Sequence, residues 1–121
     1  MTCHVTRRIG EFGRHLRRDR RETYRALMTT DTELAGCERD PPGDFLDDAA
    51  TDTVCRLLAS LEERDRRVLA EIDAAEGRLS DGSFGVCESC ARPIPSLRLQ
   101  ALPTARLCVA CEGIAEQRVR G

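Results

Sequence analysis

The feature that most constrains this chain is a pair of Cys-x-x-Cys sequences near its C-terminus. Two thiolates separated by two residues can grip one metal ion from a tight turn, and a second such turn completes a tetrahedron. Here 17 residues separate the two pairs, a spacing typical of four-cysteine zinc sites. The predicted ligands are Cys87, Cys90, Cys108 and Cys111. Four cysteines fill every coordination position, so the pattern predicts one structural zinc ion rather than a catalytic one.

Three further cysteines, Cys3, Cys37 and Cys55, have no metal-ligand spacing. We interpret them as ordinary thiols; a redox switch stays an open alternative that nothing in the sequence supports. A catalytic dithiol in place of the metal site would need one Cys-x-x-Cys in a thioredoxin-like setting, which the sequence lacks. The pattern also contains no Ser-His-Asp arrangement, no phosphate-binding glycine loop and no His-Glu-x-x-His. We therefore expect no enzymatic activity.

The region before the cysteines is patterned for two long helices. Between residues 54 and 79, apolar residues recur at alternating steps of four and three, with Asp65 at the one polar position. This spacing predicts a coiled-coil helix that begins near Asp47. It should stop at Ser80-Asp81-Gly82, where glycine can take a left-handed conformation. The seam consists of Val54, Leu58, Leu61, Val68, Ile72, Ala75 and Leu79, widened by Leu57 and Leu69.

A patchier seam runs through residues 9–39, and Asp40-Pro41-Pro42-Gly43 separates it from the second helix. A short connection makes the two helices antiparallel neighbours, in a rod of about 50 Å. Folding about the break should pair residues whose numbers add up to about 84–85. The predicted pairs are Phe12 with Ile72, Leu16 with Val68 or Leu69, Tyr24 with Leu61, Leu27 with Leu58, and Arg20 with Asp65.

The predicted fold is mainly α: a long antiparallel coiled-coil hairpin, a small four-Cys zinc-finger domain and a short C-terminal helix near 109–119. We divide it into an N-terminal tail (1–8), the hairpin (9–80, with an acidic tip near 40–49) and the finger with its helix (81–121). An aromatic content of 3% favours a small core that depends on metal. No apolar run reaches the ~20 residues of a membrane span, and no signal peptide is evident, so we expect a cytoplasmic protein.

The residues around the cysteines resemble a known family. Residues 83–90 read SFGVCESC, and residues 94–111 read IPSLRLQALPTARLCVAC. Both segments are similar to the zinc finger of the DksA/TraR family, and the match extends beyond the four cysteines. Counting back from Cys87 without a gap reaches Asp44, Asp47 and Ala49, which fit the family's tip motif of two Asp three residues apart followed by Ala.

The resemblance implies a regulator whose coiled coil enters the secondary channel of bacterial RNA polymerase as a monomer, without binding specific DNA. It assigns the regulatory effect to Asp44 and Asp47, supported by Ala49, and makes Arg64 a candidate polymerase contact. Phe45, Leu46 and Asp48 depart from the family's usual tip. Relatives that respond to the alarmone ppGpp carry basic residues at three positions, which here are Glu71, Leu102 and Glu112. The resemblance thus makes synergy with ppGpp doubtful.

Two other functions stay open at this point. Residues 1–30 contain eight Arg against three acidic residues, whereas residues 31–52 contain eight acidic residues against one Arg. This asymmetry indicates a charged partner surface. The Arg-rich segment at 14–21 would suit a nucleic-acid-binding protein, and the hairpin would suit an adaptor for some other protein. DNA affinity that falls steeply with salt would favour the first, and failure to bind RNA polymerase would favour the second.

Overall fold

The computed structural model describes residues 3–39 and 48–120, with side chains described for 8–37 and 49–119. Its helices are α1 (Cys3–Arg39), α2 (Asp48–Asp81), α3 (Ser96–Ala101) and α4 (Val109–Arg120). Within this part of the chain, the one isolated β bridge joins Val86 and Pro93. The predicted fold class is confirmed: two long helices precede a small four-cysteine unit and a short C-terminal helix.

The helices differ from the prediction in two respects: α1 begins earlier, and there is an additional short helix, α3. α1 begins at Cys3 and so includes residues 3–8, which the sequence analysis assigned to a tail. α3 was not predicted, because its segment is short and lies between prolines. Pro95 occupies its N-cap position with an extended ψ of 139°, and its carbonyl accepts the first helical hydrogen bond, from Leu99 N–H at 3.1 Å. The following Ser-Leu-Arg-Leu-Gln-Ala contains good helix formers, which was the available signal.

The chain divides into two compact units, residues 1–18 with 71–121 and residues 19–70. The first unit holds most of the buried apolar side chains: Phe12, Leu16, Ile72, Ala75, Phe84, Cys87, Ile94, Leu99 and Ala105. Phe12 of α1 packs against Phe84, with ring centroids 5.2 Å apart at 42°. Such an aromatic pair contributes about 0.5–1.5 kcal/mol beyond its buried area. In this unit, the base of the helical pair and the finger therefore share one core.

Helix α2 ends where the sequence placed its end. Gly82 has a φ of 83°, the left-handed conformation that glycine adopts without steric cost. Ser83 N–H then donates to Arg78 O at 3.0 Å, which is the bond that defines a Schellman ending. Phe84 N–H donates to the same oxygen at 3.1 Å. This ending directs the chain out of α2 towards the first cysteine pair.

The second unit, residues 19–70, has a thin core. Among its described residues, Leu27 and Thr30 are the buried ones. The Thr30 hydroxyl donates to Ala26 O at 2.9 Å, which satisfies a polar group that would otherwise be costly to bury. Arg66 bonds Glu62 on its own helix at 2.9 Å and lies 3.7 Å from Asp31 across the pair. These ion pairs are exposed and contribute little stability.

The predicted register of the hairpin is wrong. In the second unit a disulfide joins Cys37 and Cys55. In the first unit a Cβ built on Gly13 would lie 3.9 Å from Leu79 Cδ1. In both cases the facing residue numbers add up to 92, not to about 84–85. The error is close to one heptad, and a seven-residue repeat cannot distinguish registers that differ by seven.

The seam of the second unit also differs from the prediction. Tyr24 is 55% exposed and Leu61 is 45% exposed, so they do not form a buried pair. Val54 and Leu57 are exposed as well. The less exposed positions include small polar and sulfur-containing residues: Thr23, Thr30, Cys37, Thr51 and Cys55. Leu58, Val68 and Leu69 of the predicted seam are half-buried, but a prediction that followed only apolar residues could not find the other positions.

Candidate metal centre

The first cysteine pair lies on a tight turn within the β bridge. Cys87 N–H donates to Arg92 O at 2.9 Å, and Ala91 N–H donates to Cys87 O at 2.9 Å. Ala91 has a φ of 61°, a left-handed conformation that is uncommon for a residue with a side chain. This conformation closes the turn directly after Cys90. The turn thereby places the Cys87 and Cys90 sulfurs in one cluster.

The second pair lies at the start of α4. Cys108 directly precedes the helix, and its carbonyl accepts a hydrogen bond from Glu112 N–H at 2.9 Å. Cys111 follows in the first turn. The N-terminal end of a helix carries partial positive charge from its free N–H groups, which favours thiolates there. The two pairs are also connected directly, because Glu88 N–H donates to Arg106 O at 2.9 Å.

The four sulfurs have the separation that a tetrahedral zinc site requires. The Sγ atoms of Cys87, Cys90, Cys108 and Cys111 all lie within 4.8 Å of one another. Zinc–sulfur bonds of about 2.3 Å in a tetrahedron place sulfurs about 3.8 Å apart. The Sγ atoms of Cys90 and Cys108 are 3.9 Å apart. One pair of sulfurs therefore has the spacing of a zinc site, and all four lie within about 1 Å of it.

The thiols of the cluster differ in their affinity for protons. Backbone N–H groups of Cys90 and Cys108 lower the pKa of the Cys87 thiol to about 6. Hydrogen bonds from neighbouring cysteine side chains, first Cys108, raise the pKa of the Cys111 thiol to about 12. The site thus favours a first thiolate but resists complete deprotonation. A divalent cation offsets that resistance, since thiols that coordinate a metal give up their protons.

The segment between the two pairs supports them through α3. Leu99 of α3 is completely buried. Arg98 Nε donates to Leu107 O at 3.0 Å, next to the second pair. Leu102 N–H donates to Arg98 O at 2.7 Å and ends the helix. α3 therefore fixes the backbone that leads into Cys108.

Arg78 is a structural residue that the sequence analysis missed. Its side chain is buried in the last turn of α2, and Nη2 donates to Thr104 O at 3.3 Å. Nη1 lies 3.8 Å from a carboxylate oxygen of Glu88. Burial lowers the pKa of the guanidinium, and Glu88 partly offsets that effect. An Arg in the last turn of a helix usually remains in solvent near the free carbonyls, so the pattern alone did not indicate burial.

We expect Arg78→Met to lower the free energy of unfolding of the first unit by about 1–3 kcal/mol. The change keeps an unbranched apolar chain but leaves Thr104 O without its donor. The half-exposed Glu88 adds less than ~1 kcal/mol to the effect. Urea denaturation followed by circular dichroism measures the loss. The control is Arg67→Met on the exposed face of α2, which should stay within about 0.5 kcal/mol of the parent. Equal losses in the two variants would contradict a special role for Arg78.

The structure describes some of the predicted tip and contact residues. Asp44 and Asp47 lie outside the described residues. Ala49 is exposed in the first turn of α2, where its carbonyl accepts a bond from the Thr53 hydroxyl at 2.9 Å. Arg64 is exposed further along the same helix. Their roles in contacting a partner remain predictions.

The three positions compared with ppGpp-responsive relatives come together in the first unit. Glu71, Leu102 and Glu112 line one open cavity of about 480 Å³. Glu88 and the two arginines Arg98 and Arg106 also line it. Arg98 lines the cavity while its Nε donates to Leu107 O, so that nitrogen is already engaged. Glutamates therefore occupy three positions in the wall of this cavity.

The interpretation of Cys37 and Cys55 as ordinary thiols is wrong. They form a disulfide between α1 and α2, with Cα atoms 6.2 Å apart. The sequence analysis missed the pairing because its register placed these residues about two helical turns out of alignment. The side chain of Cys3 lies outside those described.

Comparison with known proteins shows that the metal centre lies in a C4-type zinc finger. The family described as "Prokaryotic dksA/traR C4-type zinc finger" matches residues 82–120. The chain is 36% identical over 112 residues to the RNA polymerase-binding transcription factor DksA of Escherichia coli K12, which covers 93% of this chain and 70% of that protein. It is also 36% identical over 83 residues to the Caulobacter vibrioides protein of the same name, covering 69% of this chain.

The chain spans 58% of the length of the Caulobacter relative. Among solved structures, it is similar to transcription factor DksA2 from Pseudomonas aeruginosa, with a TM-score of 0.81 and 32% identity. The similarity covers 94% of this chain and 87% of that one.

The matched cysteines and the long helical pair define a C4 zinc-finger protein with a helical hairpin. The chain belongs to the DksA/TraR family, and its cofactor is a structural zinc ion. In the described part of the chain, no helix combines the length and the apolar character that a membrane crossing requires.

Proposed function

We propose that this chain is a transcription regulator that binds bacterial RNA polymerase. The observation that carries the proposal is similarity to DksA proteins over both the hairpin and the finger. It covers 93% of the chain for the Escherichia coli relative and 94% for the Pseudomonas structure. A similarity confined to the finger would support metal binding alone. The observed similarity also includes the helical hairpin, which we propose contacts polymerase.

The zinc ion has a structural role in this proposal. Cys87, Cys90, Cys108 and Cys111 are its ligands, and together they leave no coordination position for water or substrate. A zinc site closed in this way cannot activate a nucleophile. The finger therefore positions the hairpin base and catalyses no reaction. This supports a regulator over an enzyme.

The hairpin acts through the secondary channel of polymerase and modulates initiation. Asp44 and Asp47 deliver negative charge near the polymerase active site, and Ala49 supports them from the first turn of α2. Arg64 contacts polymerase from the exposed face of the same helix. The two Asp side chains could also cap the helix, since Asp is favoured at helix N-termini, and capping is compatible with regulation. The protein acts in the cytoplasm as a monomer and does not recognise specific DNA.

Transcription in vitro tests the proposal. Purified protein is added to RNA polymerase holoenzyme at promoters with short-lived and long-lived open complexes. We expect transcript levels to change most at the promoters with short-lived open complexes. In a footprinting assay, the protein alone should protect no specific DNA sequence. No change at any promoter would contradict the proposal. Steeply salt-dependent binding to DNA alone would instead favour the nucleic-acid alternative based on Arg14–Arg21. The adaptor alternative predicts neither effect.

We predict that ppGpp adds little to the effect of this protein on transcription. The alarmone carries several phosphate charges and needs Arg or Lys donors to offset their desolvation. In this chain Glu71 and Glu112 repel phosphate at the cavity wall, and Leu102 offers no donor. The measurement is transcription at a responsive promoter with and without ppGpp, using a polymerase that lacks any ppGpp site of its own.

The matched variant replaces all three cavity residues: Glu71→Lys, Leu102→Arg and Glu112→Lys. It should gain sensitivity to ppGpp while binding polymerase like the parent. Strong synergy in the unmodified protein would refute the charge argument. Arg106 also lines the cavity. Arg106→Gln therefore tests whether its positive charge compensates for the glutamates in binding ppGpp.

A further inference from the structure

Cys37 and Cys55 form a pair that is separate from the zinc centre. The four finger cysteines belong to the first unit, whereas Cys37 and Cys55 join α1 to α2 within residues 19–70. Their Cα atoms are 6.2 Å apart, inside the range of about 4.4–6.8 Å that a disulfide spans without backbone movement. The helical pair therefore holds these two residues at a separation that suits a disulfide.

We propose that this pair is a reversible redox site that takes a low-molecular-weight disulfide as its oxidant and locks the second unit when oxidised. Part of the argument rests on the proposed function. A protein that acts on RNA polymerase works among reduced thiols, where a disulfide is usually transient or redox-sensing rather than permanent. Both cysteines are only half-buried, so small reagents reach them.

Closing the bond should have a large effect because few of the described residues of this unit are buried. Its described buried residues are Leu27 and Thr30, and one of these is polar. Its ion pairs Arg56–Asp52 and Arg66–Glu62 lie within single helices and do not join α1 to α2. The Arg66–Asp31 contact does cross, but at 3.7 Å and in solvent. The covalent bond is thus a major connection between the two helices.

The bond also closes a segment that contains the proposed tip. Cys37 and Cys55 are 18 residues apart, and Asp44, Asp47 and Ala49 lie between them. Joining the ends of a segment this long restricts the conformations of the unfolded chain, which the reduced protein retains. A protein surface that is already restricted loses less entropy on binding. We therefore expect the oxidised form to act on transcription at a lower concentration than the reduced form.

The chemistry is ordinary thiol–disulfide exchange. The thiolate of one cysteine attacks the small disulfide, which forms a mixed disulfide and releases one small thiolate. The second cysteine, as a thiolate, attacks the protein sulfur of the mixed disulfide and expels the second small thiolate. The protein gives up two electrons and two protons, and the oxidant leaves as two thiols. An excess of a dithiol reductant reverses both steps.

The test compares the zinc-bound full-length protein in oxidised glutathione and in dithiothreitol. Alkylation and peptide mass spectrometry should show loss of the Cys37 and Cys55 thiols within one chain, while zinc content is unchanged. The melting temperature should rise by at least about 10 °C on oxidation, as expected for a closed segment of this length in a small unit. Cys37→Ser and Cys55→Ser should form no disulfide within the chain, because the remaining thiol can only stop at a mixed disulfide with glutathione, and their melting temperatures should not rise. Cys3→Ser, which removes another thiol outside the finger, should respond like the parent.

A pair that stays reduced, or that links different chains, would overturn the proposal, as would equal melting temperatures for the two forms. The transcription assay then compares the concentrations for half-maximal effect, which we expect to be several-fold lower for the oxidised parent and unaffected by redox state in Cys37→Ser. Equal concentrations for the parent would overturn the regulatory part. If neither form binds polymerase, the proposed function fails, whereas thiol loss and melting still decide whether the redox site exists.

Discussion

Cys108→Ser is expected to abolish zinc binding and unfold the finger, while leaving much of the helical hairpin in place. Zinc contributes about 10–16 kcal/mol in small finger peptides, because metal binding and folding are one process. The finger here buries Phe84, Ile94 and Leu99, which is little apolar material to replace the metal. Loss of one thiolate also removes a ligand that anchors the start of α4.

Zinc analysis of the purified parent should give one equivalent per chain, and the variant should give almost none. Limited proteolysis should cut the variant between residues 83 and 108, and circular dichroism should retain most of the helical signal. Cys3→Ser is the control, since it removes a cysteine outside the finger and should keep both zinc and protease resistance. A Cys108→Ser protein with an intact, metal-free finger would contradict the structural role of zinc.

Replacing Asp44 and Asp47 with Asn should remove most of the effect on transcription, with a loss of about tenfold or more, while binding to polymerase persists. Asn keeps the size of Asp and much of its ability to cap a helix, so the change isolates charge. A charge that acts in a confined site of low dielectric is worth more than about 1.4 kcal/mol, which corresponds to tenfold. Transcription and binding are measured on the same preparations.

The control for the tip variant carries the same change in net charge elsewhere. Glu33→Gln with Glu63→Gln removes two exposed carboxylates, one from α1 and one from α2. It should regulate like the parent. If the tip variant also regulates like the parent, Asp44 and Asp47 do not carry the effect in this protein.

The local features of the fold were predictable because each depends on a short stretch of sequence. The Cys-x-x-Cys pairs, the glycine at the end of α2 and the closing helix α4 all follow from spacing or from one residue's backbone preference. Gly82 is the clearest case, since its φ of 83° is the conformation that the Ser-Asp-Gly sequence predicts. The resemblance of residues 83–111 to a family finger added the tip motif.

The pairing of the two helices was not predictable in the same way. A heptad pattern identifies the side of each helix that faces its partner, but not which heptad meets which. Apolar matching favoured Tyr24 against Leu61, and both are exposed. The register instead places Cys37 beside Cys55, two residues that had been treated as unrelated thiols. A search for facing cysteines in each alternative register would have distinguished the correct register from the predicted one.

The burial of Arg78 is a second feature of the fold that could not be predicted from the sequence. Its role depends on Thr104 O and Glu88, which lie 26 and 10 residues away and approach it only after the finger has folded. The hydrophobic periodicity of α2 contains no information about those contacts. Tertiary contacts of this kind are specified by the folded finger, not by the helix that carries the side chain.

The most direct test of the proposed function is the binding of zinc-loaded protein to purified RNA polymerase core enzyme. Size-exclusion chromatography with light scattering should detect a complex with one copy of this chain per core enzyme, with no DNA present. The complex should survive the Asn substitutions at Asp44 and Asp47 and be lost when zinc is removed. If the zinc-loaded protein and the core enzyme elute separately at micromolar concentrations, the chain does not act as a polymerase-binding regulator and the proposal is contradicted.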